Sequence, residues 1–387
     1  MARIAPSVAA VRNAVRRALR SGVGLDAAAA DGAGPSVAVA GGAGPSVVSE
    51  TAAGTVSGSG LTSLPEPGSG VASLAESGPG VASQPAPGQL VLVACSGGAD
   101  SLALAAATAF VAPRLGLRAG LVTVDHGLQE GSPARAAAVA DWARSAGLGP
   151  VEIATVDVTG RPGGPEAAAR DARYQALSAV AARTGAVAVL LGHTRDDQAE
   201  TVLLALARGA GPRGLSGMPY RKGVLLRPLL DVTRAETRKA CAALGLAAWE
   251  DPHNTDPAYT RSRVRADALP ALIAALGPGV VANLARTASL LAADAGYLDG
   301  VAAEALGACR SGTGLSVGAL AALPAAIRSR VLHAWARELG APGAALSHRH
   351  VLALDALVTG WHGQGPASLP GGIVVGRRAG DLVPAGL

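Results

Sequence analysis

The sequence is poor in aromatic residues and in cysteine. Aromatic residues make up only 2% of its 387 residues, whereas hydrophobic residues make up 49%. Its cores must therefore be built mainly from small aliphatic side chains. The three cysteines (Cys95, Cys241 and Cys309) are widely separated and form no C-x-x-C pair. This pattern argues against a zinc site or a disulfide framework and fits a reducing, cytoplasmic compartment.

Long apolar runs and N-terminal acidic residues are also missing. No stretch approaches the roughly 18 consecutive apolar residues of a membrane span, so we expect none. Residues 1–25 contain five arginines and no acidic residue, a composition that also occurs in organellar transit peptides. The spacing favours a basic amphipathic helix instead. Its apolar face carries Val8, Val11, Val15 and Leu19, and its basic face carries Arg12, Arg16 and Arg20.

Residues 26–88 form a low-complexity segment. Gly-Ala-Gly-Pro-Ser-Val occurs at 32–37 and again at 42–47, and Gly-Val-Ala-Ser occurs at 70–73 and 80–83. Such repeats cannot bury enough large apolar surface to offset the entropy of ordering the chain. We therefore expect a flexible linker that takes no part in chemistry.

Apolar runs and helical patterns alternate from residue 89 onward. This alternation predicts an α/β fold with a doubly wound parallel sheet, whose ligand-binding loops lie at the carboxyl ends of the strands. Residues 89–270 are expected to form the catalytic domain, and residues 271–387 a second, mainly helical domain with a short C-terminal strand region. The predicted strands are 90–95, 119–124, 151–156 and 186–191, and the predicted helices are 100–112, 132–146, 165–184 and 196–207.

The segment after the first predicted strand has the composition of a phosphate-binding loop. It reads Ser96-Gly97-Gly98-Ala99-Asp100-Ser101 and leads into an apolar helix. The glycines permit a sharp turn with backbone N–H groups near a phosphate, and the helix N-terminus adds a favourable dipole. Both serines are hydroxyl donors, and Asp100 is placed to hold a cation that bridges phosphates. An ordinary strand-to-helix turn is the alternative.

Two other segments have both a functional and a structural interpretation. Asp125 and His126 close the second strand, where His126 either reaches a ribose or base edge or caps the strand through its backbone. Glu166, Arg170 and Arg173 share one face of the next helix. They form either a solvated salt-bridge ladder or a rigidly held arginine that binds phosphate.

A polar cluster follows the fourth predicted strand. His193 precedes Asp196, Asp197 and Glu200, whose spacing at the start of a helix brings the carboxylates together. Such an anionic pocket suits an ammonium group or a metal ion. Helix capping is the alternative, although a cap needs only one of these acids.

Basic residues are concentrated further along the chain. Residues 208–218 are rich in glycine and carry Arg208 and Arg213, which predicts a mobile loop able to meet a polyanion. Residues 231–236 read as a capping box for the next helix and are interpreted as architecture. The last basic run suits backbone phosphates or is a solvated charge run. Its members are Arg261, Arg263 and Arg265.

Taken together, these strings resemble the tRNA(Ile)-lysidine synthases, a family of N-type ATP pyrophosphatases. The resemblance covers about residues 89–270, with the motifs in the expected order. They are S-G-G-x-D-S at 96–101, V-D-H-G-L at 124–128, A-R-x-x-R-Y-x-x-L at 169–177, D-D-Q-A-E-T-V-L-L at 196–204, R-P-L-L at 227–230 and E-D-P-x-N-x-D at 250–256.

The resemblance implies an enzyme that uses ATP with Mg²⁺ to adenylate the C2 oxygen of the wobble cytidine in an isoleucine tRNA with a CAU anticodon. The ε-amine of free L-lysine then attacks C2 and displaces AMP, forming lysidine. ATP would bind Ser96, Gly97, Gly98, Ala99, Asp100, Ser101, Asp125, His126 and His193, with Asp100 as the metal ligand. The catalytic residues would be Asp100, Arg170, Arg173, Asp197 and Glu200. The residues that contact the tRNA would be Arg208, Arg213, Arg261, Arg263 and Arg265.

Some positions depart from the family pattern. His253 stands where a serine is expected, Ser262 where an asparagine is expected, and Thr194-Arg195 where a histidine is common. One rival is a related tRNA-thiolating enzyme, which typically needs paired cysteines. Another is a catalytically inactive RNA-binding module, which the retained acidic residues disfavour. The oligomeric state stays open, with a homodimer as one option.

Deleting residues 26–88 should leave lysidine-forming activity nearly intact, because a linker without a core contributes no group to the site. Initial rates of the deleted and full-length chains, measured side by side, check this. A large loss of activity would contradict the linker interpretation.

Overall fold

The computed structural model describes residues 4–23, 88–127, 131–157, 165–252, 255–343 and 345–385, without the side chains of 165–168. All but the last residue of the predicted linker at 26–88 lies outside these ranges. So does the side chain of Glu166, and with it the ladder predicted from that residue.

The N-terminal half alternates strands and helices as predicted. Its helices are α1 (Pro6–Val23), α2 (Ala99–Val111), α3 (Ser132–Ser145), α4 (Pro165–Thr184), α5 (Arg195–Ala207), α6 (Pro212–Leu215) and α7 (Arg234–Ala243). Its strands are β1 (Leu90–Ala94), β2 (Arg118–Asp125), β3 (Val151–Thr155), β4 (Ala186–Leu191), β5 (Arg221–Lys222) and β6 (Leu225–Leu226).

These strands form one sheet in the order β3-β2-β1-β4-β6-β5. All neighbours pair in parallel except β5 and β6, which are antiparallel. The apolar run of β1 is buried on both faces, as a central parallel strand requires. The α/β fold with a doubly wound parallel sheet is thereby confirmed.

Alternate side chains of β1 supply two separate cores. Val91 and Val93 pack with α1, α2, α3 and α7, whereas Leu90 and Leu92 pack with Leu177 and its neighbours on α4. This division follows from the two-residue repeat of a strand. The predicted apolar face of α1 is buried in the first of these cores, against α2 and α7.

The C-terminal half is mainly helical, as predicted. It contains α8 (Thr260–Arg263), α9 (Leu269–Leu276), α10 (Val280–Ala308), α11 (Val317–Ala322), α12 (Ala325–Glu338) and α13 (His348–Thr359), with a π-helical turn over Val264–Ala268 between α8 and α9. Its strands are β7 (Arg310–Ser311), β8 (Gly314–Ser316), β9 (Ala367–Leu369), β10 (Ile373–Arg378) and β11 (Asp381–Pro384).

The C-terminal strand region is larger than the sequence indicated. The strands form a five-stranded sheet in the order β7-β8-β11-β10-β9. The β7–β8 hairpin comes from more than 50 residues earlier in the chain and pairs with β11. Strands of two or three residues are too short to show an alternating pattern, so they escaped prediction. A core around Trp335, Leu332 and Leu315 joins this sheet to α12 and α13.

Residues 208–218 are more structured than their glycine content predicted. The segment contains α6. The side-chain amide of Gln198 on α5 accepts from the backbone N–H of Met218 at 2.7 Å and donates to its carbonyl at 3.1 Å. Arg213 forms an ion pair of 2.9 Å with Asp299 on α10. The segment is therefore a bridge between the two halves of the molecule, since α10 packs along both α5 and α6.

Among the described residues, no single helix combines the length and the apolar character needed to cross a membrane. The helices Thr260–Leu276 and Val280–Ala308 meet those criteria only as a pair, broken by a bend of 100°.

Gly120 in β2 is a test of how closely the strands pack. A Cβ atom there would lie 2.5 Å from the carbonyl oxygen of Pro150 and 2.7 Å from a methyl carbon of Leu92. Gly120→Ala should lower the free energy of unfolding by about 1–3 kcal/mol through overpacking. Urea denaturation measures this. Gly300→Ala, on open helix surface, is the matched control and should raise stability slightly.

Candidate functional site

The phosphate loop predicted after β1 has the expected geometry. Gly97 has a φ of +85°, which a residue with a side chain rarely adopts. The Ser101 hydroxyl donates to the carbonyl of Gly98 at 2.9 Å and accepts from the backbone N–H of Ser96 at 3.2 Å. The loop is therefore braced from within, and α2 begins directly behind it at Ala99.

The turn after β4 lies against this loop. At Gly192, an added Cβ atom would come within 3.2 Å of the backbone N and Cα of Ser101. A side chain at this position would therefore have to push the two segments apart by a few tenths of an ångström. The approach brings the segment that begins at His193 beside the phosphate loop.

Asp100 is the acidic residue of the loop. It accepts a hydrogen bond from the Thr237 hydroxyl and lies 3.8 Å from the Arg234 guanidinium. Burial raises the pKa of Asp100, and the negative charge of Asp197 raises it further. Burial and the charge of Asp197 therefore disfavour the ionised carboxylate, and a cation bound beside it would stabilise that form.

Asp197 both caps its helix and faces the cleft. Its carboxylate accepts from the backbone N–H and the hydroxyl of Thr194, each at 2.8 Å, and so closes a capping box. Burial opposes its ionisation, but Arg234 and the Thr194 hydrogen bonds outweigh burial and lower its pKa. Capping the helix and lining the cleft are thus compatible for this residue.

Glu200 lies one turn further along α5 and has no solvent exposure. Three arginines surround its carboxylate. Arg234 donates to it at 3.1 Å, Arg261 at 3.0 Å, and Arg265 at 2.8 and 3.1 Å. The carboxylate is paired and hydrogen-bonded on both oxygens, the condition under which a buried charge is tolerated.

The same arginines also reach Asp197. Arg234 contacts its carboxylate at 2.7 Å and Arg265 at 3.4 Å, while Arg261 reaches its backbone carbonyl at 3.3 Å. The sequence predicted a compact anionic pocket at this point, suited to an ammonium group or a metal ion. The structure instead shows the carboxylates engaged by cations, so the pocket is close to electrically balanced.

The opposite wall of the cleft carries polar groups without partners. The Nδ1 atoms of His126 and His193 are buried and have no hydrogen-bond partner within the described parts of the chain. Burial lowers the pKa of His193 to about 3, so the ring is neutral at neutral pH. Burial also lowers the pKa of His126. Unsatisfied buried groups around a cavity indicate a place for a polar ligand.

Arg173 completes this wall. Although its side chain stays accessible to solvent, enclosure by the cleft lowers its pKa, and the charges of Arg170 and Arg261 act in the same direction. Arg170 and Arg173 lie 5.1 and 5.9 Å from the ring centre of Tyr174. Neither forms a side-chain ion pair with a residue whose side chain the structure describes. Arg173, which lines the cleft, is thus placed to contact an anion there.

These walls enclose a cleft of about 550 Å³, within the usual size range for a small-molecule site. The predicted residues that line it are Ser96, Gly98, Ala99, Asp100, Ser101, His126, Arg173, His193, Asp197 and Arg265. Gly97, Glu200 and Arg261 lie directly behind this lining, and Asp125 anchors the neighbouring turn by accepting from Ser132 at 2.6 Å.

Other predicted contacts lie away from the cleft. Arg263 points back to its own turn, where it donates to the carbonyl of Ala258 at 3.0 Å. Arg208 is exposed at the end of α5, and Arg213 pairs with Asp299. Helical rather than extended geometry separates Arg263 from Arg261 and Arg265, which are four residues apart and share a face.

Sequence reasoning missed Arg234, which contacts Asp100, Asp197 and Glu200. The signal was present, because the capping box of Thr233 and Glu236 fixes the start of α7 and so aims the next residue. Because the capping box was interpreted as architecture alone, Arg234 was not predicted to be a site residue. Trp249 and Arg238, which also line the cleft, gave no motif.

The described residues contain no group of three or more His, Cys, Asp or Glu side chains able to hold a metal ion by themselves. A cation at Asp100 would therefore take its remaining ligands from a phosphate and water, as Mg²⁺ commonly does with nucleotides.

Comparison with known proteins identifies the family. A model described as a PP-loop domain matches residues 78–272, and one described as a TilS substrate binding domain matches residues 315–383. The tRNA(Ile)-lysidine synthase of Salinispora tropica is 72% identical over 77% of this chain and 91% of its own length. The chain belongs to the tRNA(Ile)-lysidine synthase family. The Streptomyces coelicolor member is 61% identical over 76% of this chain and 84% of its own length.

Among solved structures, the U34-tRNA thiolase NcsA from Methanococcus maripaludis is similar to this protein. The matched region covers 53% of this chain and 73% of the thiolase chain. Its TM-score is 0.44 and its identity 19%, so membership of the lysidine synthase family does not depend on it.

Glu200→Gln should destabilise this family member. The substitution keeps the shape of the side chain but removes the negative charge that the three arginines share. Because those arginines are partly exposed, we expect a loss of about 2 kcal/mol, below the range for a fully buried pair. Urea denaturation measures the change. Glu304→Gln, at an exposed position of α10, is the control; an equal effect of both substitutions would contradict the role of the cluster.

Proposed function

We propose that this chain joins lysine to C2 of the wobble cytidine in an isoleucine tRNA with a CAU anticodon, at the expense of ATP. The observation that carries this function is 72% identity to a tRNA(Ile)-lysidine synthase over 77% of the chain. The cleft supports it, because a phosphate loop, a buried acid–arginine cluster and unpartnered polar groups meet in one cavity.

The phosphate loop is the ATP side of this site. The N–H groups behind Gly97 and the start of α2 face the position that a nucleotide phosphate would take. Asp100, whose pKa is raised, would hold Mg²⁺ together with phosphate oxygens. The ion would neutralise charge on the phosphates when bound.

Arginines on the cleft wall support the adenylation step. The C2 oxygen of cytidine attacks the α-phosphorus of ATP, a phosphorus–oxygen bond forms, and pyrophosphate leaves. Arg173 lines the cleft without an ion pair to a described side chain and is suited to stabilise the charge that develops on phosphate. Arg170 lies beside it on the same face of α4.

Attack by lysine follows at the same cleft. The ε-amine adds to C2, the carbon–oxygen bond breaks and AMP leaves. Asp197 lines the cleft, whereas Glu200 lies behind it without solvent exposure. We therefore assign the contact with the lysine ammonium or attacking amine to Asp197, and the positioning of Arg234, Arg261 and Arg265 to Glu200.

The tRNA would enter from the side of Arg265, which lines the cleft, with Arg261 behind it. Arg208 is exposed and free to meet phosphates, whereas Arg213 and Arg263 would first have to leave their present partners. A cytoplasmic location and a homodimer remain predictions from the sequence.

The decisive experiment incubates the full chain with ATP, Mg²⁺, labelled lysine and an isoleucine tRNA bearing a CAU anticodon. Label should enter this tRNA and not a methionine tRNA. No incorporation, or equal incorporation into both, would contradict the proposal. Asp100→Ala should abolish pyrophosphate release, because the loop loses its cation ligand. Asp294→Ala, at an exposed position of α10, is the control and should retain full activity.

A further inference from the structure

The outer face of α1 is a continuous basic surface. Its solvent-facing arc includes the exposed residues Asn13, Arg17 and Arg20 and the half-buried Arg12 and Arg16. The helix contains no acidic residue. Arg114, exposed just after α2 and linked to Arg12 through Phe110, extends the surface without adding an acid.

These arginines repel one another. Arg12, Arg16 and Arg20 follow at intervals of four residues, a spacing at which like charges destabilise a helix by a few tenths of a kcal/mol per pair. None of them forms an ion pair with a described residue, whereas Arg144 and Arg183, elsewhere on the surface, each pair with an acid. The surface therefore carries charge that nothing in the described structure compensates.

An aromatic stack fixes one end of this surface. The ring of Phe110 lies between the guanidinium groups of Arg12 and Arg114, at 3.5 and 3.6 Å from their central carbons. The Nε atom of Arg12 is buried and has no hydrogen-bond partner among the described residues. Two cations are thus held on one ring with no carboxylate between them, an arrangement that an external anion would stabilise.

We infer that the outer face of α1, continued by Arg114, binds the phosphate backbone of the tRNA at a place separate from the catalytic cleft. The surface lies at the far end of α2 from the phosphate loop: the ten residues from Asp100 to Phe110 span about 15 Å. Its contacts fall on nucleotides other than the one being modified. Identification of the polyanion as tRNA rests on the proposed function.

The packing of α1 favours RNA over a membrane. A helix that lies in a membrane surface needs an exposed apolar face. In α1 that face, with Val11, Val15 and Leu19, is buried against α2 and α7. Only the charged arc is left, and it matches a phosphate backbone, which is bound through charge with little base specificity.

Binding of the CAU-anticodon tRNA by the triple variant Arg16→Gln, Arg17→Gln, Arg20→Gln tests the inference. Glutamine keeps helix propensity while removing three charges. The plot of log Kd against log salt concentration should become shallower by about 2, since each lost phosphate contact removes somewhat less than one unit of slope. The KM for tRNA should rise about tenfold, while kcat and the KM for ATP stay unchanged.

A control with the same change in net charge separates this surface from general electrostatics. Arg144→Gln, Arg183→Gln, Arg310→Gln removes three arginines that are paired with acids elsewhere. It should bind tRNA nearly as the wild type does. The variant Arg16→Lys, Arg17→Lys, Arg20→Lys should also retain binding, because phosphates respond to charge.

Three outcomes would overturn the inference. They are equal losses in the α1 variant and the charge-matched control, an unchanged salt slope in the α1 variant, and loss of binding only to phosphatidylglycerol vesicles. The last would identify a membrane contact. If the wild type binds tRNA through α1 but transfers no lysine, the surface stands and the proposed function fails.

Discussion

A fully buried carboxylate, Glu200, joins three segments that are distant in the chain. It receives hydrogen bonds from Arg234 at the start of α7, from Arg261 on α8 and from Arg265 in the following turn. Removing this charge from water is costly, and only several well-placed donors offset the cost. The positions of α5, α7 and α8 relative to the phosphate loop therefore depend on one cluster.

This cluster also links the site to the rest of the molecule. Helix α5, which carries Asp197 and Glu200, packs along α10, and its Gln198 binds the backbone of Met218. The segment that contains Met218 in turn reaches Asp299 through Arg213. A shift of the C-terminal half, which contains the match to a substrate binding domain, therefore bears on the same helix that supplies the acidic residues.

Helix α1 has two faces with different tasks. Its apolar side completes a core with α2 and α7, and its basic side remains uncompensated by any described acid. A helix kept only for stability would gain from carboxylates at the four-residue spacing. Retaining mutually repelling arginines is the pattern of a surface that meets a polyanion, as expected of an enzyme that acts on tRNA.

The sequence by itself determined the α/β class, the order of the elements, the phosphate loop and the family, because these depend on local periodicity and on residues close together in the chain. It also placed Asp100, His193 and Asp197 at strand ends that meet in one cleft. Only the tertiary structure decided that Arg234 belongs to the site, that Glu200 lies behind the cleft and that Arg263 turns away from it. Those outcomes depend on contacts between residues 34 to 65 positions apart and on the helical geometry of 260–263, neither of which local patterns report.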